Sequence, residues 1–148
     1  MRTELSVEID RPIDQVFTLT NDHVTEWSVT CIEEEMLEEK PGEVGSTFRI
    51  VTADRGREMV FTGTVTEYEP PRRSRVDLVG DTFDLDVLYT FDDLDGRTRV
   101  TQTSEVRGKG LFKVLLPLMG WMMKKASCKA QDFELANLKT YCESQPTG

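Results

Sequence analysis

The chain has 148 residues, of which 38% are apolar and 30% charged. This suits a single soluble domain spanning residues 1–148 and excludes intrinsic disorder. The formal net charge is −9 at neutral pH, and because an anionic surface repels phosphate backbones, we expect no nucleic acid partner.

The first segments predict one strand followed by two short helices. Apolar and polar residues alternate over residues 4–10, the period of two that is typical of a strand with one buried face. Pro12 suits the first turn of a helix, because its missing N–H would have no partner there. This helix should end near Asn21, and a second short helical turn should cover residues 22–27.

Six further strands are predicted between residues 29 and 106, separated by turns rich in glycine, proline and aspartate. They cover residues 29–39, 47–53, 58–68, 73–79, 83–91 and 99–106. The strand 83–91 has the clearest alternation, with aromatic and aliphatic residues on one face. Short connections make neighbouring strands antiparallel, because a parallel crossover needs about a dozen residues.

After residue 110 the pattern changes to a helical period that continues to residue 141. One stripe of this helix is predicted to face the sheet, through Leu111, Leu115, Met119, Met122, Ala126, Ala130, Phe133, Asn137 and Tyr141. The segment from Leu111 to Met123 is apolar on all sides. Pro117 and Gly120 should kink or interrupt the helix within it.

These elements predict an α+β fold, in which a curved antiparallel sheet of six to seven strands wraps around a long C-terminal helix. A helix is about 10–12 Å wide, too narrow to cover strands that lie about 4.8 Å apart. The sheet must therefore curl around the helix or leave a hollow beneath it. We expect an apolar cavity between the two.

The three cysteines, Cys31, Cys128 and Cys142, are odd in number and have no paired spacing. This argues against a disulfide framework and a zinc site, so we expect no metal and no cofactor. The N-terminal segment lacks an apolar signal core, and the apolar segment 111–123 is too short to span a bilayer. Cytoplasmic residence is the expected default.

Several segments, together with the order of the elements, resemble a known family. They are EIDRPIDQVFTLTNDHVTEW, GEVGSTFRI, FTGTVTEYEPPRR, YTFDDLDGRTRVTQTSEV and ELANLKTYCES. Over residues 3–144 the chain resembles the START-like, or helix-grip, superfamily, and in particular its polyketide cyclase/dehydrase and lipid-transport group. Birch-pollen-allergen-like proteins share that fold. The resemblance implies a deep cavity for hydrophobic small molecules and supplies no universal catalytic residue.

Alternation along the strands, and the helical stripe, predict which side chains line this cavity. The predicted lining residues are Trp27, Met59, Phe61, Val65, Phe83, Leu85, Val87, Tyr89, Gln102, Ser104, Leu115, Met119 and Met122. Among them Tyr89, Gln102 and Ser104 are the polar groups that could orient a ligand. The alternative is that Tyr89 points to the rim, and that Gln102 and Ser104 bond to the backbone.

Acid–base chemistry has few candidates in this sequence. His23 is the only histidine and could move a proton near neutral pH, as could Tyr89; the alternative is a surface or helix-packing histidine. Asp84 and Asp86 alternate opposite to the aromatic residues and should face solvent, so we reject them as catalysts. Alternation also places Glu67 on one face with Met59.

The segment from Leu111 to Met123 is more apolar than packing on one sheet requires. It could be a lid over the cavity, a homodimer contact, or a patch that touches a membrane transiently; the lysines beside it would favour an anionic bilayer. The alternative is a buried core helix.

Three functions are compatible with these patterns. The first is binding or transport of a hydrophobic small molecule, such as a lipid, an isoprenoid or a polyketide-like compound. The second is an enzyme of the polyketide cyclase/dehydrase type, and the third is a ligand-sensing regulator. The absence of a nucleophile motif, a metal set or a paired acid and base favours the first.

Overall fold

The computed structural model describes residues 1–54, 56–118 and 120–147, and over them the chain forms seven strands and four helices. In chain order they are β1 (Arg2–Ile9), α1 (Ile13–Asp22), α2 (Val24–Trp27), β2 (Cys31–Glu38), β3 (Thr47–Asp54), β4 (Arg57–Glu69), β5 (Arg73–Val79), β6 (Phe83–Asp93), β7 (Thr98–Gly108), α3 (Leu111–Leu118) and α4 (Gly120–Ser144). The predicted α+β fold is confirmed.

The described strands form one sheet in the order β1-β7-β6-β5-β4-β3-β2, and every neighbouring pair is antiparallel. Consecutive strands from β2 to β7 pair through short connections, as the turn residues predict. The exception is β1, which does not pair with the next strand in the chain. The first strand, β1, pairs instead with the last strand, β7. The outer strand on the other side is β2.

A β-bulge in β4 changes which side chains point into the concave face. The register shifts between Val65 and Glu67, so Glu67 lies opposite Arg75 and Tyr68 lies opposite Ser74. Plain alternation placed Glu67 on the same face as Met59, and this prediction was wrong because the extra residue of a bulge moves the following side chains to the other face. Tyr68 takes the concave position instead.

Asp84 and Asp86 point to the convex face, opposite the aromatic residues. The Asp86 carboxylate accepts a hydrogen bond of 3.0 Å from Arg75 Nε, and Lys109 Nζ lies 2.9 Å from Asp84 Oδ1. These ion pairs link β5, β6 and the end of β7, and they lower the pKa of both aspartates. Both carboxylates therefore stay ionised in their structural pairs.

The buried face of α4 differs from the predicted stripe. Gln131, Leu135, Leu138 and Cys142 are buried, whereas Phe133 is 64% exposed. Phe133 lies about 200° around the helix axis from Leu135, but Asn137 and Tyr141 of the predicted stripe are half-buried, and Tyr141 packs against the core. The predicted stripe is therefore rotated by roughly a third of a turn from the buried face. The error arose because the stripe was continued from the apolar segment 111–123. The predicted interruption of the helix between Pro117 and Gly120 includes Met119, which lies outside the described residues.

Two apolar clusters lie on the concave side of the sheet. The grip core joins α4 to β1, α1, α2 and the far end of β6; it contains Ile9, Ile13, Val16, Phe17, Leu19, Trp27, Phe91, Val100, Leu135, Leu138 and Cys142. The floor cluster lies on β2 to β5 and contains Cys31, Phe48, Ile50, Phe61 and Leu78. Because α4 packs mainly along β1 and the first two helices, it closes the grip core and leaves the floor cluster less covered.

Two glycines allow aromatic rings to lie flat against the floor. A Cβ atom at Gly63 would stand 2.3 Å from the ring of Phe48, and one at Gly80 would stand 2.6 Å from the ring of Phe61. Both distances are below van der Waals contact, so only glycine fits at Gly63 in β4 and at Gly80 directly after β5. The floor cluster depends on them.

Candidate ligand cavity

The ladder register brings most of the predicted lining residues onto the concave face of the sheet. Leu85 lies opposite Leu78 and Val106, Val87 opposite Val76 and Ser104, and Tyr89 opposite Ser74 and Gln102. Met59, Phe61 and Val65 share this face on β4. Local alternation in three different strands therefore produces one continuous surface.

Much of this concave surface is only half-buried. A set of apolar side chains packs against the floor cluster and yet keeps part of its surface accessible; its members are Met59, Val65, Val76, Phe83, Leu85 and Val87. Accessible apolar surface therefore remains on the inner side of the sheet. This surface is the apolar wall of the site.

A polar row crosses the middle of the apolar wall. Ser74, Tyr89 and Gln102 are paired side by side on β5, β6 and β7. Gln102 Nε2 donates a hydrogen bond of 2.6 Å to the Tyr89 hydroxyl, which leaves the phenolic proton free to be donated to another group. The side chain of Gln102 therefore bonds Tyr89 and not the backbone.

Helix α4 holds this row from above through Gln131. Its Nε2 atom donates to the backbone carbonyl of Gln102 at 2.6 Å, and its Oε1 atom accepts from Thr3 Oγ1 at 2.5 Å. Gln131 is 6% exposed, and these bonds satisfy both ends of its amide. The sequence prediction missed Gln131 because the helical stripe was drawn on another face.

Ser74 is a second residue that the sequence prediction missed. It is 4% exposed, and its Oγ atom has no hydrogen-bond partner among the described residues. A buried hydroxyl without a partner costs about 1–3 kcal/mol, so Ser74 is a position where the fold leaves a polar atom unsatisfied. The signal was present in the alternation of Ser74, Val76 and Leu78, which places the serine on the apolar face.

The electrostatics of the row keep its titratable neighbours protonated. Burial, followed by the nearby Glu134 carboxylate, raises the pKa of the Tyr89 phenol above its ordinary range. Burial also raises the pKa of the Cys31 thiol to about 11, again assisted by the carboxylates of Glu34 and Glu134. At neutral pH the Tyr89 phenol therefore stays protonated and can donate a hydrogen bond, and Cys31 is a weak nucleophile.

Glu134 is fixed where α4 meets the segment before β2. Its carboxylate accepts hydrogen bonds from Ser28 Oγ at 2.8 Å and from the backbone N–H groups of Val29 at 2.8 Å and Thr30 at 3.0 Å. These bonds account for its lone pairs and tie the helix to the sheet. Glu134 acts on Tyr89 through its charge.

An open cavity of about 900 Å³ lies at the end of the concave face near α3. It is lined by Val106, Gly108 and Lys109 of the β7 end and by Lys113 and Lys124 of α3 and α4. Val106 pairs with Leu85, so this opening lies next to the apolar wall, although its lining includes none of the wall residues. A smaller cavity of about 360 Å³ lies beside Met59 and Phe83.

The remaining predicted lining residues lie elsewhere. Trp27 is 2% exposed within the grip core, and its indole N–H donates to the Thr20 carbonyl. Leu115 is half-buried on α3, and Met122 is 52% exposed in the first turn of α4. Met119 lies outside the described residues.

His23 lies between α1 and α2 and not in the polar row. Its Nδ1 atom is 2.6 Å from Glu26 Oε2 and 3.0 Å from the Tyr141 hydroxyl, and its side chain is 38% exposed. Within the described part of the chain it makes no hydrogen bond to Tyr89 or Gln102. The two residues predicted as proton carriers are thus not brought together.

The described residues include neither a candidate membrane-spanning helix nor a cluster of metal ligands. No helix among them is long and apolar enough to cross a membrane. No group of three or more histidine, cysteine, aspartate or glutamate side chains within the described ranges could hold a metal ion.

The fold and the cavity together define a helix-grip protein with an apolar inner wall. The family model described as polyketide cyclase/dehydrase and lipid transport matches residues 1–143. The chain therefore belongs to that family.

Solved structures share this fold at low sequence identity. A START superfamily protein from Mycobacterium smegmatis has a TM-score of 0.83 and 18% identity, with 97% of each chain covered. The Zhui aromatase/cyclase from Streptomyces sp. R1128 has a TM-score of 0.78 and 16% identity, over 97% of this chain and 93% of that one. A protein from Thermus thermophilus has a TM-score of 0.80 and 15% identity, over 97% and 98%. No curated protein sequence matches the chain.

Proposed function

We propose that this protein binds and carries a hydrophobic small molecule, such as a lipid, an isoprenoid or a polyketide-like compound, between the concave face and α4. The observation that carries the proposal is the half-buried apolar wall on β4 to β6, crossed by a single polar row. Ligand sites combine apolar surface with a few polar groups in this way. Membership of a family that includes lipid-transport proteins supports it.

The chemistry of the wall indicates how such a ligand is held. Leu85, Val87 and Phe83 have accessible apolar surface, and covering such surface contributes about 25 cal/mol per Å². The free proton of the Tyr89 hydroxyl would orient a ligand that carries an oxygen atom. A mainly apolar ligand with one oxygen-bearing group fits both features.

The test fills the hollow with a larger side chain. Leu85→Trp should weaken binding of the probe 1-anilinonaphthalene-8-sulfonate at least about tenfold, because the indole occupies the space that the probe needs. Val79→Trp is the matched control, since Val79 is 46% exposed on the outer face of β5. Native mass spectrometry of freshly purified protein would identify a co-purified ligand. Equal probe binding by Leu85→Trp and the wild type would refute the cavity.

A second function, catalysis of the cyclase/dehydrase type, is favoured by one specific observation. The Tyr89 hydroxyl is held by Gln102 with its own proton free, the geometry of a general acid. Aromatase/cyclases are among the proteins of the same fold. In this version Tyr89 would donate a proton to an oxygen of the bound substrate.

Tyr89→Phe separates the two functions. If the protein is an enzyme, turnover of a polyketide substrate panel should fall about a hundredfold, while probe binding stays within a factor of two or three. Tyr141→Phe, which removes a phenol that contacts His23 outside the polar row, should leave both unchanged. Turnover that survives Tyr89→Phe would exclude Tyr89 as the acid.

A further inference from the structure

The cations of this acidic protein are concentrated around the cavity opening. Residues 107–131 contain six lysines and arginines and no acidic residue, whereas the rest of the chain holds twelve cations and all 27 acidic residues. The six are Arg107, Lys109, Lys113, Lys124, Lys125 and Lys129. A protein with a net charge of −9 thus carries one positive region, formed by the end of β7, α3 and the first half of α4.

Four of these cations are available to a partner. Lys113, Lys124, Lys125 and Lys129 are exposed, and no carboxylate in the described residues lies within ion-pair distance of them. In contrast, Arg107 and Lys109 already face Asp77 and Asp84. The free lysines project from the two helices that border the cavity.

The same region exposes large apolar side chains. Leu111 is 73% exposed, Val114 60% and Leu118 74%, and their spacing of three and four residues places them on one face of α3. Met122, in the first turn of α4, is 52% exposed. An exposed apolar face beside lysines has the composition of a helix that lies in a membrane interface.

We infer that α3 and the first half of α4 form a docking surface for an anionic phospholipid bilayer, with the cavity opening turned toward the lipid. Lysines would contact the phosphate groups while Leu111, Val114 and Leu118 enter the boundary of the acyl chains. Val106, Lys113 and Lys124 line the opening itself, so a ligand that enters there would do so beside the bilayer surface. This last step rests on the proposed function, whereas the docking surface does not.

Charge favours a bilayer over a second copy of the chain. In a two-fold dimer the same patch meets itself, which would bring the free lysines of both copies together. An anionic bilayer neutralises them, and it attracts a basic cluster over about one Debye length. The acidic remainder of the surface would be repelled, so the attraction also orients the molecule.

The test is flotation of the ligand-free protein with vesicles at 50 mM salt. Vesicles of 70 mol% phosphatidylcholine and 30 mol% phosphatidylglycerol should bind at least about ten times more protein than pure phosphatidylcholine, and 500 mM salt should remove most of the difference. Lys113→Glu/Lys124→Glu and Leu111→Ser/Leu118→Ser should each reduce binding at least about tenfold.

Matched controls distinguish the effect of the docking surface on vesicle binding from the effects of total charge and total exposed apolar area. Lys40→Glu/Arg72→Glu changes the net charge equally at exposed positions far along the sequence from α3, and Leu37→Ser/Val44→Ser removes two other exposed apolar side chains. Both controls should bind vesicles as the wild type does. Circular dichroism and thermal unfolding check that every variant folds; if a double variant does not, Lys124→Gln and the salt dependence of the wild type take its place.

Three outcomes would overturn the docking surface. The first is equal binding of the wild type to both vesicle types, and the second is unchanged vesicle binding by the charge-reversed variant. The third is a wild-type dimer in solution that binds no vesicles and that dissociates when Leu111→Ser/Leu118→Ser is introduced. Probe binding without vesicles is measured in parallel. A wild-type protein that binds the probe but no vesicles refutes docking alone, and a wild-type protein that binds anionic vesicles but no probe refutes the proposed function alone.

Discussion

At the scale of single residues, the polar row shows that a folded protein can leave one polar atom without a hydrogen-bond partner. Tyr89 and Gln102 satisfy each other and Gln131 satisfies the backbone beside them, but the Ser74 hydroxyl has no partner among the described residues. Such an atom lowers the stability of the empty protein.

Ser74→Ala is therefore expected to stabilise the ligand-free protein by about 1 kcal/mol, because it removes an unsatisfied buried hydroxyl. Ser46→Ala is the control at equal burial: Ser46 Oγ accepts a hydrogen bond of 2.8 Å from the backbone N–H of Lys40, so its loss should destabilise by about 1 kcal/mol. Urea unfolding measures both changes. A destabilised Ser74→Ala variant would show that the hydroxyl has a partner after all.

At the scale of elements, α4 has two parts with different surroundings. From Gln131 to Cys142 one face is buried against β1, α1 and α2, which fixes the helix across one side of the sheet. The first half carries the exposed lysines and the apolar surface near the cavity. The C-terminal half of α4, from Gln131 to Cys142, stabilises the fold. The N-terminal half belongs to the proposed docking surface.

Leu138→Ala and Phe133→Ala test which face of α4 is structural. Leu138 is fully buried in the grip core, so its truncation should cost about 2–5 kcal/mol. Phe133, five residues away on the same helix and 64% exposed, should change the free energy of unfolding by no more than about 0.5 kcal/mol. Comparable decreases in the free energy of unfolding for the two variants would contradict the orientation of α4 in which Leu138 faces the core and Phe133 faces solvent.

At the scale of the whole molecule, charge is distributed by face. The convex face carries ion pairs that run across strands, from Glu67 through Arg75 to Asp86. Hydrogen bonds from Arg75 lower the pKa of Asp86, and bonds from Arg73 and Arg75 lower that of Glu67. The concave face is mainly apolar apart from the polar row, and the free cations lie near the cavity opening.

Arg75→Gln should reduce stability by about 1 kcal/mol at pH 7, and the difference from the wild type should shrink as the pH falls. The carboxylates of Glu67 and Asp86 have lowered pKa values in the folded protein, so their contribution is present above their ordinary pKa of about 4 and is lost in more acidic solution. Urea unfolding at pH 7, 5 and 3 measures this. Arg72→Gln is an exposed control, and its free energy of unfolding should differ from that of the wild type by the same amount at every pH. If the difference between Arg75→Gln and the wild type also stays constant with pH, Arg75 does not stabilise the ionised carboxylates of Glu67 and Asp86.

The sequence by itself determined the order of the elements and the inward face of β6, since alternation is a local property of a strand. The same pattern correctly placed Tyr89, Gln102 and Leu85 on one surface. It also identified the segment from Leu111 to Met123 as more apolar than packing requires, and the exposed Leu111 and Leu118 agree with that.

Only the tertiary structure decided which face of α4 is buried, that the bulge in β4 turns Glu67 outward, and that Ser74 has no partner among the described residues. Each depends on what lies opposite in space: β1 selects Leu135 and Leu138 over Phe133, and β5 sets the register of β4. Local periodicity carries no information about such neighbours. The helix that grips the sheet could therefore be predicted, but not the face with which it does so.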